Sequence, residues 1–182
     1  RDAVVFGYND LGMHCMNEDF SEMMLLPPYN TLHAQVIERS GEEPRILGDG
    51  VTVRYALIGN THSADKTNFW THVQALLGVA LEPNVGLTGN SLNGAMTATG
   101  SNDWSATGIP VTPLTDLGHE DPYPLADITV ARAGQVIART QAVVPGAGDD
   151  LQKTKSVPGR RRFSGRASAP RAWKEDAHFG LR

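Results

Sequence analysis

The stretch Val51-Thr-Val-Arg-Tyr-Ala-Leu57 holds the clearest strand pattern in this chain of 182 residues. Its larger apolar side chains take every second position, at 51, 53, 55 and 57. Because successive side chains of a β-strand point to opposite faces, this alternation predicts a strand with one buried face. The Asp49-Gly50 pair directly before it is a strong turn signal. The chain is therefore expected to enter a β-sheet here.

The same period-two pattern recurs elsewhere in the chain. Residues 128–144 alternate on both sides of Ala133-Gly134, which predicts a β-hairpin. Residues 3–8 and 31–38 also indicate strands. Strands separated by turns, with a single helix between them, are typical of a mainly β fold. We expect an antiparallel β-sandwich or barrel-like domain with one short packed helix and long loops.

One helix is expected, at about residues 66–77. Asp65 or Thr67 is expected to cap its start, and Gly78 suits its end. A helix of about 12 residues is marginal by itself in water, so its apolar face is expected to pack on the sheet. That face is formed by side chains at helical spacing: Phe69, Trp70, Val73, Leu76 and Leu77.

Residues 83–124 are rich in Gly, Asn, Thr, Ser and Pro, a composition typical of long connections. Short strands are expected at most, near residues 85–87 and 95–98. Loops this long are uncommon unless they are functional or disordered, and this window holds Asp103, Asp116, Asp121 and His119.

Charge divides the chain into two parts. Residues 1–145 hold seven Lys and Arg against sixteen Asp and Glu, whereas residues 146–182 hold nine against four. We therefore predict a β-rich domain at 1–148 and a basic C-terminal tail at 149–182. The acidic body would repel nucleic acid and the basic tail could attract it. A solvated terminus is the favoured interpretation of the tail, so no nucleic-acid partner is expected. No apolar run reaches the roughly 18 residues of a membrane helix, so no transmembrane segment is expected.

The window 8–33 is the densest in reactive and metal-binding groups. It contains Cys15, the only cysteine, between His14 and Met16. Imidazole, thiolate and thioether suit copper best, with iron as a second metal, and His33 and Asp10 complete the candidate ligands. The spacing differs from the usual blue-copper pattern. The simpler interpretation is a buried structural cysteine beside a hydrogen-bonded histidine, and it is favoured.

Two other interpretations of this window stay open. Cys15 could act as a nucleophile with a distant histidine as its base, because His14 is poorly placed for that role. Oxygen ligands could bind calcium, although the EF-hand pattern is absent and turn formation is the simpler role for these residues. These oxygen ligands are Asn9, Asp10, Asn17, Glu18 and Asp19.

The chain resembles a family of uncharacterised bacterial proteins. The likeness covers about residues 1–145 and rests on the strings Asn9-Asp-Leu-Gly-Met-His-Cys-Met16, Leu26-Pro-Pro-Tyr-Asn30, Lys66-Thr-Asn-Phe-Trp70, Val85-Gly-Leu-Thr-Gly89, Gly108-Ile-Pro110, Pro122-Tyr-Pro124 and Val143-Val-Pro145.

The resemblance implies an exported protein, periplasmic or extracellular (secreted), whose partner is a c-type cytochrome or another redox protein. Many members of that family carry a CxxCH haem segment after the last of these strings. No cysteine follows residue 145 here, so no covalent haem motif is present in this chain. Since Arg1 directly precedes a strand pattern, we expect a mature or trimmed chain.

These observations lead to one first hypothesis and two alternatives. The first is an exported β-rich binding or structural module of an electron-transfer assembly, cytochrome-associated and more plausibly not an enzyme. The second is a metal-dependent (copper or iron) or thiol-dependent enzyme centred on Cys15 and His14. The third is a carbohydrate- or surface-binding β-sandwich that uses the 83–124 loops.

Overall fold

A computed structural model describes residues 3–10 and 28–146. The strands and the helix, numbered in chain order, are β1 (Ala3–Asn9), β2 (Asn30–Glu38), β3 (Arg45–Leu47), β4 (Thr52–Leu57), α1 (Phe69–Leu77), β5 (Asn93–Ala95), β6 (Thr97–Ala98), β7 (Trp104–Ile109), β8 (Leu125–Arg132) and β9 (Gln135–Val143).

The strands form two sheets, and every pairing between them is antiparallel. The first sheet has five strands. Four of them follow the order β1-β2-β7-β6, and the fifth, β3, also pairs with β2. The second sheet has the order β5-β4-β8-β9. The described part of the chain is thus mainly β and sandwich-like, which confirms the predicted fold class. It contains no closed barrel.

The core lies between the inner faces of the two sheets. On β2 the side chains of Leu32, Ala34 and Val36 are fully buried, and the residues between them are only partly covered. β4 and β8 alternate in the same way around Val53 and Ile128. Each buried Val, Leu or Ile contributes about 1.5–3 kcal/mol relative to an exposed one, so this double layer supplies the main stabilisation.

Most of the expected strands are present, and the differences lie in the loop-rich window 83–124 and at residues 45–47. Residues 85–87 lie in an irregular loop between turns rather than in a strand. Two strands were missed: β3 and β7. β7 is built mostly from small residues, Ser, Ala, Thr and Gly, so its hydrophobic contrast is weak although its inner positions are buried.

The helix α1 begins at Phe69 rather than near 66, and its N-cap residue Asn68 makes no side-chain capping bond. Gly78 ends it in the left-handed conformation, as expected. The prediction that its whole apolar face packs on the sheet is wrong. Only Val73 is buried, while Leu76 and Leu77 are about half exposed.

Within the described residues, no helix combines the length and the apolar character needed to cross a membrane.

The predicted hairpin joins β8 to β9 at Ala133-Gly134, and both residues have positive φ, +47° and +79°. Two positive φ values are typical of the two-residue turn whose twist matches that of the flanking strands. Residues 11–27, the greater part of the window 8–33 that holds Cys15, lie outside the described residues. So does the predicted domain boundary at 148 and 149.

Two backbone segments make their closest approach at Gly86 and Gly108. A Cβ built on Gly86 would lie 2.1 Å from the carbonyl oxygen of Gly108. The 84–90 turn is held there by Asn90, whose Nδ2 donates to the Thr107 carbonyl at 2.7 Å. The absence of a side chain at residue 86 is therefore a packing requirement.

We expect Gly86→Ala to lower the free energy of unfolding by roughly 1–3 kcal/mol, because a backbone atom must move to admit the methyl group. Gly41→Ala is the matched control, since its Cβ would meet only one atom, at 3.5 Å, and its φ is not positive. Denaturant unfolding of both variants measures the difference. Equal stability of the two variants would contradict the close approach.

Candidate functional site

The outer face of the first sheet carries a histidine cluster, formed by Tyr8, Asp10, His33 and Asp103. Three segments bring these residues together. Tyr8 lies opposite His33 in the β1–β2 register, Asp10 directly follows β1, and Asp103 directly precedes β7. Because buried Leu32 and Ala34 flank His33 in β2, the imidazole must point to the outer face.

Each ring nitrogen of His33 faces a carboxylate. Nδ1 lies 2.7 Å from Oδ2 of Asp103, and Nε2 lies 3.0 Å from Oδ2 of Asp10. The His33 and Asp103 side chains are 17 % and 16 % exposed, whereas that of Asp10 is 64 % exposed. A neutral imidazole has only one N–H, so two carboxylate acceptors are satisfied only by the doubly protonated ring.

The pKa of His33 follows from these contacts. Partial burial by itself lowers the pKa of the imidazole, but the hydrogen bonds and charges of Asp103 and Asp10 outweigh it, and the pKa is raised above its ordinary value of 6.5. The Tyr8 ring stacks on the imidazole with 5.1 Å between centroids and 12° between planes. Partial burial and then the negative charge of Asp103 raise the pKa of Tyr8.

This arrangement decides what His33 can do. A general base or a metal ligand needs an unprotonated ring nitrogen, and both nitrogens here are engaged with carboxylates. The two carboxylates also lie on opposite sides of the ring, so they do not converge on a common point. Within residues 3–10 and 28–146, no group of three or more His, Cys, Asp or Glu side chains is arranged to hold a metal ion.

The structure brings together two of the five candidate metal ligands, Asp10 and His33. The other three, His14, Cys15 and Met16, lie outside the described residues. Asp103 belongs to the loop window that sequence analysis marked for its acidic groups, but its contact with His33 was not foreseen. Asn9 donates to Oδ1 of Asn30 and to the Thr31 carbonyl, at 3.3 and 3.1 Å, and so ties β1 to β2.

A second polar group, the lysine cluster, consists of Asn60, Thr61, His62, Lys66 and Asp116. The Lys66 side chain is only 6 % exposed, and its Nζ donates to Oδ1 of Asn60 at 3.0 Å and to Oδ1 of Asp116 at 2.8 Å. The backbone N–H and the hydroxyl of Thr61 also donate to Asp116. Although partial burial acts to raise it, these donors lower the pKa of Asp116 to about 2.

The lysine cluster joins the loop before α1 to the loop before β8. Asn60 is fully buried and donates from Nδ2 to the Thr112 carbonyl at 2.6 Å, so the cluster fixes the backbone on both sides. A buried ammonium with two oxygen partners is a satisfied ion pair rather than a reactive amine. We interpret this cluster as structural. Lys66 falls in one of the sequence strings that carry the family resemblance. That string is the only sequence signal that pointed to Lys66.

Comparison of the chain with protein-family models, with curated proteins and with solved structures gave no match. The resemblance inferred from the sequence strings therefore stays a prediction.

The histidine cluster predicts how stability depends on pH. Because the pKa of His33 is raised on folding, its contribution is complete below the unfolded pKa of about 6.5 and is lost as pH rises through the folded pKa. We expect His33→Gln to cost roughly 1–3 kcal/mol at pH 5 and less at pH 9, because hydrogen bonds to charged groups have this strength.

Denaturant unfolding between pH 5 and pH 9 measures this effect. His72→Gln is the control, since His72 is exposed on α1. If the His33 and His72 variants show the same pH dependence as the wild type, the imidazolium pairing is wrong.

Proposed function

We propose that this chain is an exported β-sandwich module that binds a partner protein in an electron-transfer assembly and has no turnover of its own. The observation that carries the proposal is the outer face of β1. Phe6 and Tyr8 are 58 % and 48 % exposed there, beside the exposed carboxylate of Asp10. Exposed aromatic side chains at two successive outward positions are typical of the energetic centre of a protein interface.

Charge supports a basic partner. Residues 1–145 carry sixteen acidic against seven basic side chains, and complementary charge speeds association between proteins. The family resemblance implies a c-type cytochrome or another redox protein, and it also implies a periplasmic or extracellular location. A basic c-type cytochrome is therefore the partner class that we propose.

Binding without turnover also fits the chemistry of the histidine cluster. Both nitrogens of His33 are taken by carboxylates, so proton abstraction would first require one of these pairs to break. The cluster instead holds the end of β1 against β2 and β7, directly beside the exposed aromatic pair. A rigid support of this kind lowers the entropy cost of binding at the aromatic surface.

Titration of the full chain with a basic c-type cytochrome tests the proposal. We expect binding that weakens as salt rises, because the attraction between opposite charges is screened. Phe6→Ala is expected to weaken the affinity by about tenfold, since truncating an interface anchor typically costs more than 1 kcal/mol. Isothermal titration calorimetry at two salt concentrations measures both effects.

Tyr123→Ala is the matched control, because Tyr123 is 67 % exposed and lies in the loop before β8 rather than on β1. The proposal fails if the wild-type chain binds no basic c-type cytochrome. It also fails if the Phe6 and Tyr123 variants lose affinity equally, because the outer face of β1 would then have no special role.

A metal- or thiol-dependent enzyme is the second candidate. Its support is that Asp10 contacts His33 directly before the segment that carries His14, Cys15 and Met16. This brings two of the five candidate ligands to the same end of β1. Copper or iron would be bound through the soft ligands of that segment, and calcium through its oxygen ligands.

Metal analysis and thiol labelling separate the two candidates. Under the binding-module proposal we expect no stoichiometric metal, slow labelling of native Cys15, and a Cys15→Ser variant that loses roughly 1–3 kcal/mol of stability but keeps its partner. Stoichiometric copper or iron, or rapid labelling with a thiol pKa well below about 8.5, would support the enzyme instead.

A further inference from the structure

The outer face of the second sheet carries two arginines in one row. In the strand register Arg54 of β4 pairs with Thr129 of β8, and Thr129 pairs with Arg139 of β9. Directly paired residues of neighbouring strands point to the same face. Adjacent strands are about 4.8 Å apart, so the two arginine backbones lie roughly 10 Å from each other, with the Thr129 hydroxyl between them.

Neither arginine forms an ion pair within the part of the chain that the structure describes. The arginines that do are Arg45 and Arg132, which both contact Glu38 at 2.7 Å. Arg54 and Arg139 are exposed. Two unpaired guanidinium groups in one row are a local excess of positive charge on a domain that is otherwise acidic.

A groove of about 380 Å³ adjoins this row at its Arg54 end. Four of its lining residues are polar, Arg54, Thr129, Thr61 and Asn93, so the groove offers one guanidinium together with hydroxyl and amide groups. The volume lies in the range of small-molecule sites, near its lower end. Guanidinium binds carboxylate groups with two parallel hydrogen bonds, and the hydroxyl and amide groups suit the hydroxyls of a sugar.

Two carboxylates lie near this groove. Asp127 is in the neighbouring row, opposite Ala56, and its Oδ1 accepts a hydrogen bond from Gln141 at 2.8 Å. Asp116 contacts Thr61, but its charge is balanced by Lys66. Asp127 is therefore the charge that would oppose an anion bound at Arg54.

We propose that this groove binds a small carboxylate-bearing sugar, such as a uronic acid unit of an acidic polysaccharide. Arg54 holds the carboxylate, Thr129 and Asn93 bind hydroxyl groups, and Arg139 adds a second positive charge from the far end of the row. This site lies on the second sheet, whereas the partner surface proposed above lies on the first, so the two proposals stand or fall separately.

Titration of the full chain with glucuronate, followed by amide chemical shifts, tests the site. We expect saturable shifts at β4 and β5 with a Kd on the order of 1 mM, since the site is open and the ligand is small. Glucose should cause no such shifts, because it lacks the carboxylate. Arg54→Gln should raise the Kd by about tenfold or more, and Arg139→Gln by less.

Two further variants sharpen the test. Arg45→Gln is the matched control, because it removes an exposed arginine from the other sheet and should leave the Kd unchanged. Asp127→Asn should lower the Kd, since it removes the opposing charge. An unchanged Kd in Arg54→Gln, an absence of saturable shifts, or equal binding of inorganic phosphate and glucuronate would each overturn the assignment of this groove to an acidic sugar.

Discussion

Burial of one face of each sheet is the constraint on which the rest of this structure depends. β1 shows how closely the sheets approach, since a Cβ on Gly7 would lie 2.5 Å from Cδ1 of Ile128 in the opposite sheet. Once Leu32 and Ala34 point into this core, His33 between them must point out. The same rule turns Arg54 outward between Val53 and Tyr55. The core thus decides which side chains are available for function.

The two polar clusters within the described residues differ in the burial of their charged groups and in how their stability depends on pH. In the lysine cluster Lys66 and Asn60 are almost closed to water, and the ammonium, the amide and the Asp116 carboxylate satisfy one another, which suits a structural role in fixing the loops. The histidine cluster is only partly covered, and it joins an exposed carboxylate to a shielded one through a titratable ring. Its strength therefore falls as pH rises through the raised pKa of His33, whereas the donors around Asp116 lower the pKa of that carboxyl to about 2.

The two outer faces of the sandwich differ in chemistry. The first sheet exposes aromatic rings beside a carboxylate, a combination suited to a basic protein surface. The second sheet exposes a row of two arginines beside a polar groove, a combination suited to an anionic small molecule. The two proposed sites together would let the module hold a redox protein at a charged surface. The acidic character of the domain would strengthen the first proposed interaction and oppose the second.

The sequence by itself determined the features that depend on neighbouring residues. Alternation placed β2, β4, β8 and β9, and Gly78 ended the helix, because strand pleat and turn conformation are local properties. The predicted start of α1 was wrong, because the N-cap residue Asn68 makes no side-chain capping bond that would mark the first turn. β7 was missed because its small residues give little hydrophobic contrast. The candidate site was foreseen only in part, as Asp10 and His33 without Asp103.

Only the tertiary structure decided which distant groups meet. Asp103 reaches His33 across 70 residues of chain, and Arg139 joins the row of Arg54 through the register of three strands. The exposure of Leu76 and Leu77 also depended on where the helix rests, which its own amphipathic pattern does not specify. Such contacts are set by strand pairing and packing between segments far apart in sequence, and a one-residue change of register would move each of them to the opposite face.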